Sequence, residues 1–162
     1  MSNIQDAMAG VVTFQSLIGK LDKQPTNQDI LLQAKLILEE AKELLQAVEE
    51  GEGEEQILKE TCDCLVVVFG LVAQLNLSGY DVFSAMKAVN DNNMSKICSS
   101  QTDAAYTKVG YESTDPSGGY YVKQLSYDKW GVFNKSDKLQ KPIGYSKCSV
   151  KQFIPYQEGE QK

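Results

Sequence analysis

Apolar positions along the first ninety-odd residues recur at alternating steps of four and three. The clearest run is Ile30, Ala34, Ile37, Ala41, Leu44 and Val48, which defines one inward stripe of an amphipathic helix. Thr26 caps this helix, which is predicted to run to about Glu50. Before it, a first helix starts at Ser2 or Asn3, where Ser2…Gln5 fits a capping box, and runs to about Ile18, with Ile4, Met8, Val11, Val12 and Leu17 facing inward. Gly19 and the Lys23-Gln24-Pro25 loop separate the two. A third helix spans about Glu54 to Asn76, and its segment from Cys64 to Val72 is apolar on nearly every side, which predicts burial all round. Ser78…Asp81 signals the cap of a fourth helix running through Val82, Phe83, Met86 and Val89 towards Asn93.

After Ser99 the pattern changes. Asp115-Pro116-Ser117-Gly118-Gly119 is turn chemistry, and Tyr120–Ser126 and Lys129–Phe133 are rich in aromatic and β-branched residues, as strands are. A small β-hairpin or three-stranded meander is predicted, with Lys135-Ser136-Asp137 in a turn. Tyr120, Tyr121, Tyr127, Trp130 and Phe133 either stack on a base or, by the heavier weight, pack the sheet against its host. The expected fold is thus mainly α: a four-helix bundle over residues 1–98, with a C-terminal extension over 99–162 in the same domain.

The polar positions within the apolar helices change this picture. Glu39, Glu40 and Glu43 form an EExxE cluster in the second helix, and Glu60 with Asp63 an ExxD cluster in the third. Gly51 and Gly53 mark a short connection, so the two helices pack antiparallel and their clusters face each other. Leu32 and Leu36 lie beside the glutamates, which implies that another helix or another subunit covers that face. Five carboxylates in a low-dielectric volume require a cation, and hard oxygen ligands select Mg²⁺ or Mn²⁺. The competing reading is a structural salt bridge through Lys35, Lys42 or Lys59; the chain has no arginine for a buried bidentate pair. It has no histidine either, which excludes the Glu-x-x-His pairs of a di-iron bundle.

Charge is uneven: residues 1–97 carry 15 acidic and 7 basic side chains, residues 98–162 carry 7 and 9. Net acidity without arginine argues against a nucleic-acid surface. No apolar run approaches the roughly 20 residues that span a bilayer, and no charged-then-apolar leader is visible, so a cytoplasmic location is expected. Cys62, Cys64, Cys98 and Cys148 read as reduced structural thiols, since Cys62 and Cys64 diverge on a helix and make no zinc pair.

Glu39-Glu40-Ala41-Lys42-Glu43, then residues 44–59, then Glu60-Thr61-Cys62-Asp63, resembles the EExxE…ExxD pattern of the all-α nucleoside triphosphate pyrophosphohydrolases. That superfamily includes MazG, dimeric dUTPases and phosphoribosyl-ATP pyrophosphohydrolase. Asn90-Asp91-Asn92-Asn93-Met94-Ser95-Lys96 is similar to the "NDxNMSK" helix end of phage MazG-like members. The resemblance covers about Ile4 to Ile97. It implies metal-assisted hydrolysis between the α and β phosphates, releasing a nucleoside monophosphate and pyrophosphate, with more than one Mg²⁺ or Mn²⁺ held by Glu39, Glu40, Glu43, Glu60 and Asp63. Glu40 is the first candidate for the base, and Asn90, Asn93 and Lys96 are the expected phosphate or ribose contacts.

The phage-type ending points to a guanine nucleotide and a role in a virus's nucleotide pool, in host cytoplasm. A broad-range housecleaning enzyme or a dUTP/dCTP hydrolase is the alternative, and a non-catalytic helical interaction module is the alternative of another class. Apolar residues on several faces of the second and third helices predict a homodimer or a dimer of dimers.

Overall fold

The computed structural model describes residues 3–155, which divide into two compact units. Met1–Val82 with Phe153–Lys162 form one, and Phe83–Gln152 the other.

The first unit is built from α1 (Ile4–Leu17), α2 (Asn27–Glu49) and α3 (Glu54–Leu77), within about one residue of the predicted spans. Their ends follow from local chemistry. Of the two expected starts, Asn3 caps α1: its side chain accepts from the Asp6 backbone N–H at 3.0 Å, and Asp6 Oδ2 accepts from the Asn3 N–H at 3.2 Å. Ser2 lies outside the described residues. Thr26 and Asp29 form the same reciprocal box at α2, where the Asp29 carboxylate accepts from both the Thr26 backbone N–H and the Thr26 hydroxyl. α2 stops at Gly51, whose φ of 68° reverses the chain at no Cβ cost. Pairing Gln33 with Val67 and Glu40 with Glu60 makes α2 and α3 antiparallel, since one index rises as the other falls.

The inward faces differ from the predicted stripes. On α2 the buried residues are Gln33 and Ala47, with Ile30, Leu36, Ile37, Glu40 and Leu44 half-buried, whereas Ala34, Ala41 and Val48 are exposed. The line facing α3 is therefore rotated towards the carboxylates. On α1, Val11 and Gln15 are buried while Ile4, Val12 and Leu17 are exposed. Leu65, Val66 and Val68 of α3 are exposed too, so one chain does not enclose that helix on every side. Three glutamines, Gln15, Gln33 and Gln74, occupy the centre where leucines are usual. Gln33 Nε2 donates to the Val67 carbonyl at 2.8 Å, and both Gln15 and Gln33 close over Gly70.

In the second unit, α4 (Val82–Met94) begins after Asp81, and Ser78 instead ends α3 with its hydroxyl on the Gln74 carbonyl. A fifth helix, α5 (Gln101–Thr114), stands where no helix was expected. Ser100 caps it by accepting from the Asp103 N–H at 3.0 Å, and only Ala104 and Thr107 of its residues are buried. Its apolar stripe is that thin, which is why periodicity did not mark it.

β1 (Tyr121–Ser126) and β2 (Lys129–Phe133) form an antiparallel hairpin, with an irregularity between Gln124 and Ser126. Cys98, Ala104 and Val132 make its core, joined by Tyr120, Val122 and Trp130. Tyr121 stacks on Phe133, so of the five aromatics only Tyr127 stands free of the sheet at 96 % exposure. The packing reading holds for the other four.

Candidate metal centre

Seven residues on a helix turn through 700°, so positions seven apart share a face two turns distant. Glu40 on α2 thus lies on the face that carries Gln33, and Glu60 and Asp63 on α3 follow the line of Val67 and Gly70. Antiparallel packing then sets Glu40 opposite Glu60. Glu40, Glu60 and Asp63 each present a ligand atom, and these atoms all lie within 4.8 Å of one another.

Of the five carboxylates in the two motifs, these three form the converging group. Glu39 and Glu43 are exposed and stand outside it, although Glu43 is close enough to act on Glu40. Asn90, Asn93 and Lys96 belong to the second unit, where Lys96 Nζ donates to Asn93 Oδ1 at 2.7 Å and Asn90 is exposed.

The electrostatics are those of an undercompensated anion cluster. Glu40 is held above the ordinary glutamate range, first by desolvation and then by Glu43, Asp63 and Glu60. The neighbouring Cys64 thiol is pushed up by burial and by the same three carboxylates, Glu40, Glu60 and Asp63. Among the described residues one cation meets the cluster: Lys59 Nζ lies 3.0 Å from Glu60 Oε1 and 3.0 Å from Asp63 Oδ2. Those contacts raise the lysine's own pKa.

The structural salt bridge weighed against a metal is therefore realised through Lys59, and it covers only part of the cluster. Three carboxylates face one ammonium. Glu60 is 3 % exposed; its Oε1 accepts from Gln56 Nε2 at 2.6 Å as well as from Lys59, while its Oε2 is buried without any hydrogen-bond partner. An orphaned carboxylate oxygen is costly unless a cation meets it. The residues present fit a hard divalent ion, with Glu40, Glu60 and Asp63 as its protein ligands.

A family comparison returns the same stretch. Residues 13–93 match the model of the phosphoribosyl-ATP pyrophosphohydrolase family, part of the MazG-like all-α superfamily. The chain belongs to the phosphoribosyl-ATP pyrophosphohydrolase family. Neither curated proteins nor solved structures gave a match. Membership supports a hydrolase of the pyrophosphohydrolase type with a nucleotide substrate, and members of this family are typically dependent on divalent metal.

The family motifs carried the carboxylates but not their supports. Gln56 holds Glu60 from one helical turn earlier, a spacing visible in Gln56-Ile57-Leu58-Lys59-Glu60 once Glu60 is known to be buried. The glutamines at 15, 33 and 74 give no such signal, because glutamine is ordinarily a surface residue.

Proposed function

We propose that this family member is a Mg²⁺- or Mn²⁺-dependent nucleoside triphosphate pyrophosphohydrolase that releases a nucleoside monophosphate and pyrophosphate. The observation that carries the reading is the orphaned Glu60 Oε2 beside Glu40 and Asp63, three carboxylates converging where one lysine leaves most of the charge uncompensated. A bound divalent ion would polarise the α phosphate and lower the pKa of a water. The chain's own part is to hold that ion. Gln56 fixes one oxygen of Glu60, and Glu40 is the first candidate to accept the water's proton. Glu39 and Glu43 would complete the site as outer or second-ion carboxylates, and Asn90, Asn93 and Lys96 are proposed for phosphate or ribose.

For the base, a guanine nucleotide (dGTP or GTP) used in phage nucleotide-pool control is favoured by the "NDxNMSK" ending. Broad-range housecleaning, or hydrolysis of dUTP or dCTP, is the second reading.

Incubation with each nucleoside triphosphate, and with phosphoribosyl-ATP, in the presence of Mg²⁺ or Mn²⁺ tests both reaction and substrate. Monophosphate and pyrophosphate are expected. Nucleoside diphosphate with orthophosphate would overturn the reaction, and no turnover of any substrate would favour a non-catalytic helical module.

A further inference from the structure

We propose that Lys59 is a resident counter-cation of the carboxylate centre, held across Glu60 and Asp63 until a divalent ion displaces it, whereas Gln56 stays in place. The inference rests on the metal reading above and assigns roles to two residues that the family motif does not include.

Its first support is position. Lys59 precedes Glu60 directly and Asp63 by four residues, and its ammonium is equidistant from the two, 3.0 Å from each. Unlike the lysine-first pairs Lys87–Asp91 and Lys108–Glu112, each made with one carboxylate, Lys59 spans two, one of them the buried Glu60.

The second support is the difference between the two donors on Glu60 Oε1. Gln56 is neutral and, at 2.6 Å, keeps that oxygen oriented without opposing an incoming dication. Lys59 carries a full charge. Its side chain is 56 % exposed, so water can take up the ammonium once a dication takes over its two carboxylates. Glu60 Oε2, buried and unpartnered, offers an oxygen that neither donor occupies.

The third support is charge. A dication bound to Glu60 and Asp63 would sit a few ångströms from the ammonium that touches both, and like charges at that range repel strongly even when well solvated. Without a metal, the same ammonium relieves the mutual repulsion of the carboxylates. It thus stabilises the empty centre and opposes the loaded one.

Titration of the full chain with Mn²⁺ alone, by calorimetry and by the paramagnetic signal of free Mn²⁺, tests this together with thermal unfolding in chelator. Lys59→Met should bind Mn²⁺ about tenfold more tightly than wild type. It should also unfold at a lower temperature in chelator and gain more from added Mn²⁺. Lys59→Arg keeps the charge and should stay near wild type. Lys35→Met, which removes the same charge from an exposed position on α2, should change the affinity by less than about twofold. Equal or weaker Mn²⁺ binding by Lys59→Met would overturn the exchange while leaving the metal centre standing. Wild type that binds no Mn²⁺, or binds it as well after Glu40→Gln, would overturn the metal centre and the exchange with it.

Discussion

Glu40 makes stability depend on pH. Its folded pKa is raised, so the proton is held more tightly in the folded chain than in the unfolded one, and ionisation costs folding free energy. That penalty is absent below the ordinary glutamate value, grows as pH rises through the window up to the raised value, and is complete above it. In chelator at neutral pH, Glu40→Gln should therefore be at least as stable as wild type, with the two converging as the solution is acidified. Denaturant unfolding from about pH 4 to pH 8 measures this. A neutral-pH loss on Glu40→Gln would mean that the Glu40 carboxylate stabilises the folded chain, against the direction of its shift. Gln56→Leu removes the neutral donor from Glu60 Oε1 and should weaken Mn²⁺ binding by about 10- to 100-fold, as loss of a ligand's orienting partner does elsewhere. An unchanged affinity would remove Gln56 from the centre. Asp63→Asn should abolish hydrolysis with helix content intact, read by turnover and far-ultraviolet circular dichroism, and turnover retained at limiting Mg²⁺ would show that Asp63 is no ligand.

At the scale of elements, the crossing of α1, α2 and α3 depends on the absence of a side chain at Gly70. A Cβ there would meet Gln33 Nε2 at 2.9 Å and Gln15 Nε2 at 3.0 Å. Gln33 cannot swing aside freely, because it is 1 % exposed and holds the Val67 carbonyl. Gly70→Val should destabilise the protein by about 1–3 kcal/mol through this overpacking and the broken hydrogen bond, measured by urea unfolding. A neutral result would show that the two amides can repack. The helix limits were legible because caps and glycines are local signals, as at Thr26–Asp29 and Gly51. α5 was not, since its cap is clear but its buried stripe reduces to Ala104 and Thr107.

At the scale of the whole molecule, the single chain leaves Leu31, Leu38 and Leu45 about half exposed along one line of α2, with Leu58 and Leu65 exposed on α3. A repeat of seven leucine to leucine is the spacing of a helix seam, and exposed apolar surface of this extent is unusual on a monomer. We expect a homodimer or a dimer of dimers formed through these faces. Light scattering at micromolar concentration should report it, and dilution should lower activity and thermal stability together. A fully active monomer would refute it. Among the described residues no single helix is long and apolar enough to cross a membrane.

The periods of the first four helices, a hairpin or meander after them and the two acidic motifs were legible in the sequence, because each is written in residues a few positions apart. The sequence also pointed to one small volume for all five carboxylates, since a short connection forces antiparallel packing, but only Glu40, Glu60 and Asp63 converge there while Glu39 and Glu43 stay exposed. Only the tertiary structure decided which face of α2 turns inward. Apolar periodicity pointed to a stripe of which Ile30, Ile37 and Leu44 are half-buried but Ala34, Ala41 and Val48 exposed, whereas the face that meets α3 carries buried Gln33 and half-buried Glu40, polar groups covered by a neighbour that no local pattern reveals. The same holds for the charge state of the site. That Lys59 rather than Lys35 or Lys42 reaches the carboxylates, and that Glu60 keeps one oxygen without a partner, follow from distances between side chains on packed helices.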